Sequence, residues 1–118
     1  MGYYTQFNLS VIGDPGEEAL FEEDLRAEAL KYSKGEPWPE LEELIKYGAA
    51  YAKLYHIDVW IETVAKKHPD LLIILEGDGE SSMDIWEQRW KGDQMEFHKA
   101  AMPPFETLKT PYELTKQN

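Results

Sequence analysis

The fold is decided by residues 57–75, which read IDVWIETVAKKHPDLLIIL. Apolar side chains recur in the first part of this stretch at the spacing of one helix face, at Ile57, Trp60, Ile61, Val64 and Ala65. Pro69 ends that helix because proline has no backbone N–H to donate. Leu71–Leu75 is then a continuous apolar run of strand length. The stretch therefore predicts a helix that leads into a central strand covered on both faces.

The residues before this stretch predict a strand, two helices and a short strand. Polar and apolar residues alternate over Tyr3–Ile12, which is typical of a half-buried strand. Asp14 is placed to cap a helix that runs to about Tyr32. A second helix is predicted over about Pro39–Tyr47, and the small and aromatic residues of Ala50–Tyr55 predict a strand with little polar contrast.

The residues after the deciding stretch predict a β-hairpin. Ile85–Trp90 and Gln94–Ala101 flank Lys91-Gly92-Asp93, which is a short loop that contains glycine. The predicted element order is β-α-α-β-α-β-β-β, which indicates an α+β fold, a two-layer sandwich with helices on a mostly antiparallel sheet. We expect a ferredoxin-like topology with an extra strand, a single domain over residues 1–105, and a polar C-terminal tail over residues 106–118.

The composition argues against several classes of function. The 118 residues contain no cysteine, which excludes disulfides, thiol catalysis and cysteine-ligated zinc. The net charge of −11 argues against direct nucleic-acid binding and against binding to anionic membranes. No apolar run reaches the roughly 18 residues of a membrane span, and the first residues do not form a signal-peptide pattern. We therefore expect a cytoplasmic protein, either a monomer or a homodimer.

Two parts of the sequence carry a resemblance. The first is the opening Met1-Gly2-Tyr3-Tyr4-Thr5, and the second runs from His68-Pro69-Asp70 through Gly77-Asp78-Gly79-Glu80 to Asp84-Ile85-Trp86 and Lys91-Gly92. Together they resemble small, poorly characterised proteins of bacteriophages and related mobile elements. The resemblance implies a phage-type origin and an α+β fold. It carries over no catalytic residues and does not extend to residues 14–48.

The acidic residues are concentrated in one segment. From Asp14 to Glu43 there are eleven acidic residues and three basic ones, so this segment carries −8 of the net charge of −11. Most of these carboxylates are expected to face water. Such a surface either keeps the protein soluble or steers it to a basic groove that normally holds nucleic acid.

The second interpretation, together with the phage-like resemblance, predicts a non-enzymatic inhibitor. It would bind the basic surface of a host protein, such as a defence protein, by imitating the charge of nucleic acid. Trp38 lies between two prolines and is either an exposed anchor for that partner or a side chain folded over the core edge. The predicted partner-binding residues are Glu18, Glu22, Glu23, Asp24, Glu28, Trp38, Glu40, Glu42 and Glu43.

An alternative hypothesis is a binding or sequestering protein for a small, nucleotide-type ligand. Trp86, Gln88 and Trp90 share one face of a predicted strand. That face either belongs to the core or stacks a base beside Arg89. The predicted ligand-binding residues are Trp86, Arg89 and Trp90.

A third hypothesis concerns the acidic turn over residues 76–87. Its oxygen-bearing side chains follow the ligand spacing of a calcium-binding EF-hand loop, although Ser81 stands where that loop needs glycine. An acidic turn between two strands explains the same residues without a metal. The residues that would bind a metal are Glu76, Asp78, Glu80, Asp84 and Glu87.

No catalytic arrangement stands out in the sequence. His56 is expected to end a strand, His68 to be an exposed residue near a helix end, and His98 to share a strand face with Glu96. No histidine pair has metal-ligand spacing, and neither a nucleophile elbow nor a phosphate-binding loop is present. We expect no catalytic residue and no cofactor.

Overall fold

The computed structural model describes residues 4–79 and 84–99. Within these residues the elements follow the predicted order. They are β1 (Thr5–Ile12), α1 (Pro15–Leu30), α2 (Pro39–Tyr47), β2 (Ala49–Ala52), α3 (Ile57–Ala65), β3 (Leu72–Gly79), β4 (Ile85–Lys91) and β5 (Gln94–Lys99). The α+β class is therefore confirmed. The end of the predicted last strand, at residues 100–101, and the predicted tail over residues 106–118 lie outside the described residues.

Local sequence signals set the helix boundaries. The Asp14 carboxylate accepts a hydrogen bond from the Glu17 backbone N–H at 3.0 Å, so α1 begins with the predicted cap. Helix α1 ends at Leu30, two residues before the predicted end. Gly48 ends α2 in a left-handed conformation, with φ of 74°, which glycine adopts without strain. His56 is the residue before the first turn of α3, and not the end of a strand as predicted.

The strands form one open antiparallel sheet in the order β2-β1-β3-β4-β5. Strand β1 lies between β2 and β3 and is antiparallel to both, so these two strands run in the same direction. Helix α3 connects them, which makes a split β-α-β unit with β1 in the gap. The ferredoxin-like topology is not confirmed, because β1 and β2 are antiparallel neighbours and not the outer strands of a second such unit.

The core lies between the helices and one face of the sheet. Phe7 of β1, Ala50 of β2, Leu75 of β3 and Trp90 of β4 are buried on this face. Helix α1 packs mainly on α3, while α2 packs on β1 and β2. Burying one large apolar side chain contributes about 1.5–3 kcal/mol, so this layer of contacts is a major source of stability.

The second face of the sheet is not covered by any helix of the described chain. Leu72 and Ile74 point to this face and are only half-buried, whereas Ile73 and Leu75 on the other face are fully buried. The prediction of a central strand is confirmed, but among the described residues the helices cover only one face of Leu71–Leu75. A run of apolar residues does not reveal that all the helices pack on the same side.

The β4–β5 hairpin extends beyond the helices. All six residues of β5 are exposed, on both faces of the sheet. Met95 and Phe97 lie on the side of the helices, because they pair with Trp90 and Gln88, yet they are 47% and 53% exposed.

No helix of the described chain is long and apolar enough to cross a membrane.

Candidate functional site

Acidic side chains of α1 and α2 meet at one open groove. Glu18 and Glu22 lie one turn apart on α1, and Glu42 and Glu43 lie in the first half of α2. The groove between the two helices has a volume of about 730 Å³. We call it the acidic groove. It is lined by Glu18, Glu22, Arg26, Glu42, Glu43, Ile45, Lys46 and Tyr47.

Arg26 joins the two helices across the acidic groove. Its Nε lies 2.9 Å from both carboxylate oxygens of Glu42. The two side chains are 40% and 47% exposed, and an ion pair this exposed contributes only about 0–1 kcal/mol. Within the described residues, no basic nitrogen lies within 4.0 Å of the carboxylates of Glu18, Glu22 or Glu43. The groove therefore keeps an excess of negative charge.

Partial burial and a neighbouring acid both shift the pKa of the Glu22 carboxyl group. Its pKa is raised, first because partial burial disfavours the charged form and then because Glu18 lies nearby, while Arg26 lowers the pKa. A positively charged group in the groove would favour the ionised carboxylate. The acidic groove is thus suited to a cationic partner.

The other predicted partner-binding carboxylates do not line the groove. Glu23 and Glu40 are exposed on the same two helices. Asp24 is half-buried, and its Oδ2 lies 2.7 Å from Nε2 of His68. Glu28 is buried and accepts a hydrogen bond from Nζ of Lys31 at 3.0 Å. The expectation that these carboxylates face water is wrong for Glu28, which lies seven residues after Phe21 on the buried stripe of α1.

Trp38 packs over the edge of the core. Its indole N–H donates a hydrogen bond to the backbone carbonyl of Ala29 at 2.9 Å, and its ring lies 5.1 Å from that of Trp60. Of the two alternatives, the structure places this half-buried side chain over the core edge. The exposed aromatic residue beside the acids is Tyr47, which is 68% exposed and lines the acidic groove. Its position four residues after Glu43 puts both on one helix face, a signal the sequence reasoning missed.

Comparison with known proteins does not assign a function to this surface. No protein-family model, curated protein or solved structure matches the chain. The phage-like resemblance therefore remains an expectation carried by its motifs.

A second groove lies where α3 begins, beside β4 and β5. It has a volume of about 350 Å³ and is lined by four aromatic side chains, Phe7, Tyr55, Trp86 and Phe97. The rings of Trp86 and Phe97 are 6.5 Å apart with their planes 23° apart. Lys99 and the buried Gln88 also line it. We call this site the aromatic groove.

The three residues of the alternative ligand hypothesis are not brought together. Trp86 lines the aromatic groove, but Trp90 belongs to the core and is 2% exposed. Arg89 points to the opposite face of the sheet, where its Nε lies 2.8 Å from a carboxylate oxygen of Glu87. Arg89 and Trp90 border a different open groove on the hairpin, which does not include Trp86. The alternation of side chains along β4 places Arg89 on the other face from the two tryptophans. Trp86 and Trp90 share a face and differ in burial.

The acidic turn does not form a metal site in the part of the chain that the structure describes. Glu76 and Glu87 are opposite each other on β3 and β4, and Asp78 is opposite Ile85. No cluster of three or more potential ligands is found among the described residues. Residues 80–83 of the turn, which include Glu80, lie outside the described residues, so the metal hypothesis stays a prediction.

The histidines differ widely in their surroundings. His56 and His98 are exposed, and His98 lies 3.7 Å from a carboxylate oxygen of Glu96. His68 is buried, 5% exposed, and both ring nitrogens contact carboxylates of α1, Nδ1 that of Glu17 and Nε2 that of Asp24. The prediction of an exposed His68 is therefore wrong. Helix α1 crosses the end of α3 and buries the ring, which a local sequence pattern does not show.

Proposed function

We propose that this chain is a non-enzymatic cytoplasmic protein that binds a host protein through its acidic groove. The partner surface would be basic, of the kind that normally holds nucleic acid, and the chain would act as a phage-derived inhibitor. The observation that supports this most directly is the convergence of Glu18, Glu22 and Glu43 from two helices on one groove, with no basic partner at contact distance in the part of the chain that the structure describes.

The acidic groove combines charged side chains with an exposed aromatic ring, and both contribute to binding at protein interfaces. Its carboxylates attract a basic surface over several ångströms and speed association. Tyr47 offers a large exposed ring beside these charges, and tyrosine is among the residues that contribute most to binding energy at interfaces. An acidic surface that served solubility alone has no need of a partly buried carboxylate such as Glu22.

Reversing three charges of the acidic groove tests the proposal. The variant carries Glu18→Lys, Glu22→Lys and Glu43→Lys and keeps Glu42, which pairs with Arg26. The matched control carries Glu62→Lys, Asp70→Lys and Asp93→Lys, which change the net charge equally at exposed positions elsewhere. Tagged full-length wild type, variant and control are used to retain proteins from a bacterial lysate at low and moderate salt, and retained proteins are identified by mass spectrometry.

We expect wild type and control to retain the same nucleic-acid-binding protein, and excess duplex DNA to release it. Association of the purified pair should be at least about tenfold slower for the groove variant and should slow further with salt. Thermal unfolding checks that all three proteins are folded. Equal retention by the groove variant, or no specific protein retained by the wild type, would contradict the proposal.

A further inference from the structure

The aromatic groove provides a flat apolar surface with a fixed position. Trp86 lies across the backbone of Gly77 on the neighbouring strand, and its ring contacts Phe7 edge to face, with centroids 6.1 Å apart. Phe97 lies beside it, nearly parallel and 53% exposed. Aromatic rings held in this way stack planar ligands such as nucleobases.

A polar side chain lies between these rings. Gln88 pairs across the sheet with Phe97 and follows Trp86 by two residues, so all three point into the groove from one face. It is 9% exposed, and among the described residues its side-chain amide makes no hydrogen bond. The amide nitrogen and oxygen are not fully buried, so they open onto the groove. Its N–H and C=O can together bind the donor and acceptor edge of a heterocycle, as glutamine does with adenine.

The charged side chains that line the aromatic groove limit the charge that a ligand can carry. Among the described residues that line the groove, two are acidic, Asp58 and Asp84, and one is basic, Lys99. A lining with this formal charge disfavours a phosphate group. A volume of about 350 Å³ falls within the range of small-molecule sites and accommodates a base with its sugar.

We propose that the aromatic groove binds a planar, uncharged nitrogen heterocycle of the purine type, as a free base or a nucleoside. The ring stacks on Trp86 and Phe97, and its hydrogen-bonding edge is read by the amide of Gln88. This site is independent of the acidic groove, which lies between α1 and α2.

Calorimetric titration of the full-length protein tests the site. The ligands are adenine, adenosine, AMP and ATP. The variants are Phe97→Ala, which removes an exposed ring, and Gln88→Leu, which keeps the size of the side chain and removes the amide. Met95→Ala is the matched control, because Met95 lies on the same strand and face, is 47% exposed and does not line the aromatic groove.

We expect adenosine to bind, with AMP and ATP progressively weaker. Phe97→Ala should weaken binding about fivefold or more, and Gln88→Leu about tenfold, while Met95→Ala should leave the affinity unchanged. The proposal is overturned by the absence of saturable binding of adenine and adenosine at millimolar concentration, by tighter binding of AMP than of adenosine, or by unchanged affinity in both groove variants. The triple variant of the acidic groove should still bind adenosine, which separates this site from the proposed function.

Discussion

Replacing His68 with alanine is expected to lower the free energy of unfolding by about 3 kcal/mol. The imidazole is buried, contacts the carboxylates of Glu17 and Asp24, and packs against Phe21 with ring centroids 5.9 Å apart. Its removal breaks both contacts and leaves a cavity between α1 and the end of α3. The two carboxylates are 37% and 41% exposed and regain water, so the loss is smaller than for a fully buried ion pair.

The contribution of His68 should depend on pH in a definite direction. Burial of the ring lowers its pKa, but the hydrogen bonds and charges of Glu17 and Asp24 outweigh burial and raise the pKa above 6.5. A raised pKa means that the folded protein holds the proton more tightly than the unfolded chain. The resulting stabilisation is fully present below pH 6.5 and is lost as the pH rises through the pKa of the folded state.

Urea unfolding from about pH 6 to about pH 9 measures this dependence. The wild type should lose stability over this range relative to His68→Gln, which cannot take up the proton. His98→Gln is the control, because the imidazole of His98 is 65% exposed and lies on a strand whose residues are all exposed. If wild type and His68→Gln have the same dependence on pH, His68 is not held as a cation.

The helix boundaries could be predicted from the sequence, whereas the contacts of His68 could not. The helix boundaries follow from local signals, such as the Asp14 cap and the spacing of Trp60 and Ile61, and the structure agrees with them to within a few residues. His68 and its two partners are 51 and 44 residues apart, so only the packing of α1 on α3 reveals their contact. From the sequence alone, a histidine directly before a proline is typical of an exposed helix end, and that pattern does not indicate the burial of His68.

For the two candidate sites too, the sequence predicts the local pattern but not the contacts between distant elements. The acidity of the segment over residues 14–43 is visible in the composition, but the grouping of Glu18 and Glu22 with Glu43 depends on how two helices pack. The alternation along β4 correctly places Trp86 and Gln88 on one face, and yet it does not separate the buried Trp90 from Trp86. That difference arises because the helices cover only part of β4.

Gly77→Ala should be as harmful as the loss of His68, with a cost of about 2–3 kcal/mol. A Cβ atom at this position would overlap the six-membered ring of Trp86, which lies directly over the glycine. The backbone of Gly77 is not left-handed, so alanine meets no conformational strain there. The expected cost therefore comes from the displacement of Trp86, which would lose its contact with Phe7 and its place in the aromatic groove.

A double-mutant cycle separates this cause from a general effect on the strand. The free energy of unfolding is measured for wild type, Gly77→Ala, Trp86→Leu and the double variant. Leucine leaves room for the new methyl group, so Gly77→Ala should cost less than about 0.5 kcal/mol in the Trp86→Leu background, the level at which independent sites agree. If Gly77→Ala costs as much in the Trp86→Leu background as in the wild type, its effect arises in the β1–β3–β4 sheet itself. The position of Trp86 would then not depend on the absence of a side chain at Gly77.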